Sequence, residues 1–316
     1  MRTSLAFIFP GQGSQTQGML NAHYQQETIV RDCFTEASDA LGYDLWALIR
    51  DNPHDKLNQT MYTQPALLAA SVALWRLWCA KTPVRPAYFA GHSLGEYSAL
   101  VCADSLSLVD GVNIVALRGK LMQEAVPEGI GSMAAIIGLS DAQVAAICQE
   151  SAQGEVVVPA NYNAPSQVVI SGHRGAVARA VDGAKAQGAK LAKVLPVSVP
   201  SHSPLMQSAA AELSHALDVV KLHLPHTPIL HNIHANIEPT LDGIKAALTQ
   251  QLYASVRWVD IVTKLGKLDI TQLFECGPGK VLTGLTKRFG MDFINFVSES
   301  PDVFADAIMQ IETTPV

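Results

Sequence analysis

Cysteine is scarce and unpatterned in this chain. Cys33, Cys79, Cys102, Cys148 and Cys276 are odd in number and contain no Cys-x-x-Cys pair. That argues against a disulfide framework and against a cysteine-built metal site, and it fits free thiols in a reducing cytoplasm. An excess of basic charge is also missing: 22 Lys and Arg face 28 Asp and Glu, a formal net charge of -6. Nucleic acid is therefore not an expected partner, because phosphate binding needs a basic stripe. No uncharged apolar run approaches the ~20 residues of a membrane span, so no membrane association is expected. The opening stretch MRTSLAFIFPGQGSQ lacks the long apolar region and small-residue cleavage site of a secretory signal. There is no internal repeat and no low-complexity tract.

What remains is the composition of a compact enzyme. The chain has 316 residues, 48% hydrophobic and 16% charged, enough for a sizeable core in one large or two smaller domains. Leu5–Phe9 reads as a buried strand ended by Pro10-Gly11-Gln12-Gly13. A helix is expected from Thr63 to about Ala80, capped by Thr63 with Pro65 in its first turn. A short strand, Ala87–Ala90, precedes helices ending near Cys102 and covering Asp110–Ala125. From Gly129 to Val197 the pattern runs strand, helix, strand, strand, helix, strand, the last strand being Lys190–Val197. That βαββαβ order is the ferredoxin-like arrangement. The expected fold class is α/β: a large hydrolase-like domain (residues 1–128 and 198–316) with a small ferredoxin-like domain (129–197) inserted. In the large domain a helix after Pro204, strands at Pro228–Asn232 and Gln272–Cys276, and a helix near Lys280–Arg288 complete the reading. The tail after about Pro301 gives no signal.

The central motif is Gly91-His92-Ser93-Leu94-Gly95. Gly-x-Ser-x-Gly between a strand and a helix is the nucleophile-elbow pattern, in which a tight turn presents the serine hydroxyl. The pattern alone arises by chance in about one chain of this length in ten, so the strand-then-helix context carries the weight. A helix-capping serine beside packing glycines is the plain alternative.

A nucleophilic serine needs a base. His92 is adjacent, and neighbouring side chains on an elbow diverge. His23 and His54 sit in polar, surface-like segments, and His231 with His234 offers only two ligands for a metal, so no metal is expected. His202 stands in Val199-Pro200-Ser201-His202-Ser203-Pro204, a proline-stiffened loop between a strand and a helix. It is either a presented base or a loop histidine without a role. Arg118 has Ile114, Val115, Leu121 and Met122 on its helical face. A guanidinium there is expected to be buried and to need a partner, which is either an internal carboxylate or the carboxylate of a substrate.

These residues lie in a longer series: FPGQGSQ (9–15), TQPAL (63–67), GHSLGEYSAL (91–100), RGKLMQEAVPEG (118–129), PVSVPSH (196–202), QLYASVRW (251–258) and GPGKVLTGL (277–285). Together they closely resemble the malonyl-CoA:acyl-carrier-protein transacylase family of bacterial fatty acid synthesis, over about Phe7 to Arg288. The resemblance implies Ser93 as the nucleophile that becomes malonylated and His202 as its general base, oriented by the backbone carbonyl of Gln251. It implies an oxyanion hole from the backbone N–H groups of Gln12 and Leu94, and Arg118 as the clamp on the malonyl carboxylate. Gln64, Asn161, Asn163 and Ser201 match positions that line the cleft. The family fold is the same large α/β domain with a ferredoxin-like insertion.

The implied partners are malonyl-CoA, as a substrate, and acyl carrier protein. No cofactor is implied, and a cytoplasmic monomer is expected. A serine thioesterase or hydrolase, the transacylase subunit of a malonate decarboxylase, and a catalytically dead binding module are the rivals. Lys185, Lys190, Lys193, Lys280, Lys287 and Arg288 are candidates for docking an acidic carrier.

Overall fold

Leu5, Phe7 and Phe9 project into one apolar cluster, and Ala6 and Ile8 into another. That alternation buries strand β1 (Leu5–Phe9) on both faces, as a parallel strand covered by helices requires. The structure, a computed structural model, describes residues 3–197 and 199–313. Helices α1 (Asn21–Gln26), α2 (Thr28–Leu41), α3 (Leu45–Asp51) and α4 (Thr60–Lys81) lead to β2 (Tyr88–Gly91), α5 (Gly95–Cys102) and α6 (Leu108–Glu124). Next come β3 (Gly131–Ile137), α7 (Asp141–Ala152), β4 (Val157–Ala164), β5 (Gln167–His173), α8 (Arg174–Ala186) and β6 (Leu191–Val194). Then follow α9 (Gln207–Val219), β7 (Ile229–Leu230), α10 (Leu241–Gln251) and α11 (Trp258–Lys267). The last elements are β8 (Gln272–Glu275), α12 (Val281–Thr286), β9 (Ile294–Val297) and α13 (Pro301–Thr313).

Five strands form a parallel sheet in the order β7-β2-β1-β8-β9. Phe7, at its centre, stacks on Phe274 at 4.7 Å and meets Trp78 edge-on at 4.9 Å. Residues of α2, α4, α5, α6, α9, α10 and α13 pack on one face, and residues of α11 and α12 on the other. The other four strands form an antiparallel sheet, β4-β5-β3-β6. Its element order, β3-α7-β4-β5-α8-β6, is βαββαβ, with α7 and α8 covering one face. The fold class read from the sequence is the one observed.

The antiparallel sheet is stitched at β4 to the loop between α10 and α11. Tyr162 N donates to Val256 O and Val256 N to Ala160 O, both at 2.9 Å. Ser255 Oγ adds a bond to Pro159 O at 2.6 Å. This seam lies just beyond the C-terminus of α10.

Several boundaries differ from the sequence reading. Helix α4 starts at Thr60 after Gln59, so Pro65 lies inside it; the Thr63 hydroxyl, instead of capping, donates to Leu57 O and Gln59 O. Strand β6 stops at Val194, just before Pro196. Helix α12 is shorter than Lys280–Arg288. The tail is not featureless: α13 packs Phe304 edge-on to Phe274 and Trp78. Ser198, at the expected domain boundary and inside PVSVPSH, lies outside the described residues.

Candidate active site

Strand β2 ends at Gly91 and helix α5 begins at Gly95, and Ser93 between them has φ 52°, in the left-handed region. A non-glycine residue there is strained, and strain of this kind is held only by its surroundings. The flanking glycines serve by lacking side chains. A Cβ on Gly91 would lie 1.9 Å from the carbonyl carbon of Gly95, and one on Gly95 would lie 2.1 Å from Phe9 O. Strand β1, the turn and α5 can thus approach backbone to backbone. Asn232 braces the turn, its Oδ1 accepting from Ser93 N at 2.7 Å and its Nδ2 donating to Gly91 O at 2.6 Å.

Ser93 Oγ lies 2.8 Å from His202 Nε2. His202 also has a positive φ, 59°, and is 3% exposed. Two carbonyls at the end of α10 hold it: Nδ1 is 2.7 Å from Gln251 O, and the backbone N donates to Leu252 O at 3.0 Å. A carbonyl only accepts, so Nδ1 carries the proton and the Nε2 lone pair faces the serine hydroxyl. Burial, helped by the charge of Arg118, pushes the His202 pKa down to about 3. The ring is neutral and ready to take a proton. No carboxylate among the described residues orients it; the C-terminal end of α10 supplies partial negative charge instead, an effect worth about 0.3–1 kcal/mol and up to ~2 in partly buried sites.

Arg118 is 1% exposed and makes no salt bridge with a carboxylate among the described residues. Nη1 donates to Gln64 Oε1 at 2.8 Å, and Nη2 to Gln251 Oε1 at 2.9 Å and to Ser93 Oγ at 3.2 Å. Its guanidinium carbon stands 5.4 Å from the Tyr97 ring centre, and Nε has no partner among the described residues. Of the two readings open from the sequence, the direct internal ion pair is not formed. A buried guanidinium satisfied by neutral acceptors, touching the nucleophile, can receive an anion without first breaking an ion pair.

Other residues named from the sequence fall at varying distances. The backbone N–H groups of Gln12 and Leu94 donate to no protein acceptor among the described residues, while Ser93 N is taken by Asn232. The Gln12 side chain reaches Thr60 Oγ1 at 3.3 Å. Asn163 Oδ1 lies 2.8 Å from His92 Nε2. Asn161 is buried in β4 at the bridge to Val256, and Ser201 is half-buried beside His202. Neither side chain bonds to Ser93, His202 or Arg118. Two open cavities of ≈ 460 and ≈ 450 Å³ lie elsewhere, beside Tyr24 and Trp46 and beside Asp218 and Lys245; hydrogen-bond geometry, not cavity size, marks this site.

The sequence reading missed the support under the elbow. Glu96, His231, Asn232 and the Gln251 side chain are at most 1% exposed and bonded to one another. The Gly-x-Ser-x-Gly-Glu run and the polar His231-Asn232 pair at a strand end were the available signals. His231 is bonded to Glu96, and His234 to Glu238. His23, placed on the surface by its polar neighbours, is fully buried with Nε2 3.0 Å from Ser298 O.

Known proteins resemble this chain over nearly its whole length. The family described as acyl transferase domain matches residues 6–259. Malonyl CoA-acyl carrier protein transacylase of Escherichia coli K12 is 52% identical over 306 residues, 97% of this chain and 99% of that protein. The structure of the transacylase of that name from Coxiella burnetii superposes with TM-score 0.97 at 46% identity, covering 98% of each chain. A malonyl-transacylase solved with its type II polyketide acyl-carrier protein gives 0.95 at 48% identity, covering 97% of this chain and 99% of that one. The strained serine between two side-chain-free positions, its carbonyl-held histidine and these full-length likenesses lead to one conclusion: this chain belongs to the malonyl CoA-acyl carrier protein transacylase family of acyltransferases.

Proposed function

We propose that the chain carries a malonyl group from malonyl-CoA to the phosphopantetheine thiol of acyl carrier protein, through a malonyl ester on Ser93. The observation that carries the reading is the Ser93 hydroxyl held 2.8 Å from a neutral His202 and 3.2 Å from a buried Arg118 without a carboxylate partner.

His202 Nε2 takes the Ser93 proton as Oγ attacks the thioester carbonyl. The negative oxygen of the tetrahedral intermediate is received by the N–H groups of Gln12 and Leu94; one such donor contributes roughly 3 kcal/mol. The C–S bond breaks, and the proton on His202 passes to the CoA thiolate. In the second half the carrier thiol gives its proton to His202, attacks the ester, and Ser93 recovers its proton as it leaves. Arg118 trades its bond to the serine oxygen for the malonyl carboxylate. Gln64 holds the other arm of the guanidinium. Asn163, through His92, and Asn161 and Ser201 line the approach. Protons and charge balance with these groups alone, so the reading includes no cofactor and no metal.

No helix among the described residues is long and apolar enough to cross a membrane. The reading places a single copy of the chain in the cytoplasm, where its five free cysteines would persist as thiols. Of the basic candidates for carrier docking, Lys185 and Lys280 already pair with Asp182 and Glu299. Lys190, Lys193, Lys287 and Arg288 are the better choices.

Intact mass after mixing with malonyl-CoA tests the reading. A single malonyl adduct on the wild type, absent from Ser93→Ala and discharged by a carrier thiol, is the expected result. Steady release of free malonate with no adduct would instead make it a hydrolase.

A further inference from the structure

Beneath the elbow lies a carboxylate for which the chemistry above has no task. Glu96, in the first turn of α5, is fully buried. Its Oε1 lies 2.7 Å from His231 Nδ1, and its Oε2 accepts from Asn232 N at 3.0 Å and from Gln251 Nε2 at 2.9 Å. Donors converging on both oxygens are the surroundings of an ionised carboxylate. The Gln251 amide carries the connection onward. Its Nε2 also donates to Ser93 O at 3.0 Å, and its Oε1 accepts from Arg118 Nη2 at 2.9 Å. An amide has one donating and one accepting end. A carboxylate at one end and a guanidinium at the other therefore fix which way it faces.

We propose that Glu96 is a positioning residue that supplies the counter-charge of Arg118 at one amide's remove. A carboxylate bonded directly to Arg118 would occupy the fork meant for the substrate. One held behind Gln251 balances the charge and leaves the fork open. Two consequences follow. The pull of Arg118 on a malonyl carboxylate is moderated, and so is the positive potential that a protonated His202 meets in the transition state. The inference rests on the reading of Arg118 as the carboxylate receptor.

Steady-state kinetics of the full chain with malonyl-CoA and with acetyl-CoA, using pantetheine as acceptor, tests it. Glu96→Gln keeps the hydrogen bonds if its amide oxygen faces Asn232 and Gln251 and His231 moves its proton to Nε2. The expected result is a fall of about tenfold in KM for malonyl-CoA, an unchanged KM for acetyl-CoA, and a lower kcat for both. A purely structural role would reduce stability and kcat without parting the two KM values, and that result overturns the proposal. Should the single variant not fold, Glu96→Gln with Gln64→Glu restores the net charge and puts the carboxylate on Arg118 itself. That pair should raise the malonyl-CoA KM about tenfold over the wild type and spare acetyl-CoA; a wild-type malonyl-CoA KM overturns it. Arg118→Ala separates the two levels. If it leaves the malonyl-over-acetyl preference intact, the receptor reading fails. If it erases that preference while Glu96→Gln leaves the KM values together, only the counter-charge inference fails.

Discussion

The two sheets solve different problems. In the parallel sheet, β1, β2 and β8 are buried along their whole length, and the chain beyond the ends of β1 and β2 carries Gln12 and Ser93. The antiparallel sheet buries one face under α7 and α8 and carries on the other a small apolar cluster of Met133, Ala160 and Val169, while its edge strand β6 is largely exposed. The difference teaches where tolerance lies. The parallel sheet positions reacting atoms by backbone approach, leaving no room for even one extra carbon. The antiparallel sheet is a wall, attached at β4, and away from Gly172, where an added Cβ would lie 2.0 Å from Val156 O, it can absorb change.

Substitution is the direct way to break that contrast. The largest effect is expected from Gly95→Ala, whose new Cβ would sit 2.1 Å from Phe9 O, a backbone atom that cannot swing aside. A loss of more than about 4 kcal/mol, or no soluble protein, is expected in denaturant unfolding; a wild-type midpoint would mean that α5 and β1 slide freely. Next is Arg118→Ala. It should lower kcat/KM for malonyl-CoA about a hundredfold, or ~2.7 kcal/mol, with little change for acetyl-CoA.

A third effect is set by pH. His202 and His23 are buried with pKa values below the ordinary 6.5, each chiefly through desolvation. The unfolded chain therefore takes up protons on these rings that the folded chain does not. Stability is intact above pH 6.5 and is lost as pH falls below it, continuing for His202 down to about pH 3. Between pH 6.5 and 5 the His202 share is about 2 kcal/mol, and His202→Gln should flatten the slope of unfolding free energy by that amount. Over the same range Ser93 acylation, followed in single turnovers, should stay level because the base remains neutral. The smallest effect belongs to the antiparallel side. Gly183→Ala in α8 meets only Ile147 Cγ2 at 3.4 Å, and should raise stability by roughly 0.5–1 kcal/mol in thermal melts.

The same contrast explains what could be read from the sequence. A strand buried on both faces is a short apolar run bounded by glycine or proline, and Leu5–Phe9 stood out for that reason, whereas Gln272–Cys276, interrupted by Gln272 and Glu275, was marked by the Gly277-Pro278-Gly279 that ends it. Arg118 was visible because one charge interrupts a helical apolar face. The polar support was not. Glu96, Asn232 and the Gln251 side chain look like solvated residues one at a time, and only the meeting of α5, the end of β7 and α10 buries them. His23 failed in the same way: α13, contributed by a part of the chain that gave no signal, packs Phe304 against its ring at 5.7 Å. Local pattern records burial along one element. It does not record burial supplied by another.

The position of β1 also dictates a timetable. Leu5 pairs with Gln272 across β8, and Ala6 with Tyr88 across β2. At roughly 5–20 residues per second, the ribosome finishes the second neighbour of β1 about 15–50 s after the strand itself. Throughout that interval one edge of Leu5–Phe9, a run that is wholly apolar, has no strand to pair with. His202 likewise waits for the two carbonyls at the end of α10. Malonyl labelling of Ser93 would therefore report on synthesis as well as on catalysis. A nascent chain halted before residue 251 should remain unlabelled, and the label should appear only once the late strands have closed the sheet.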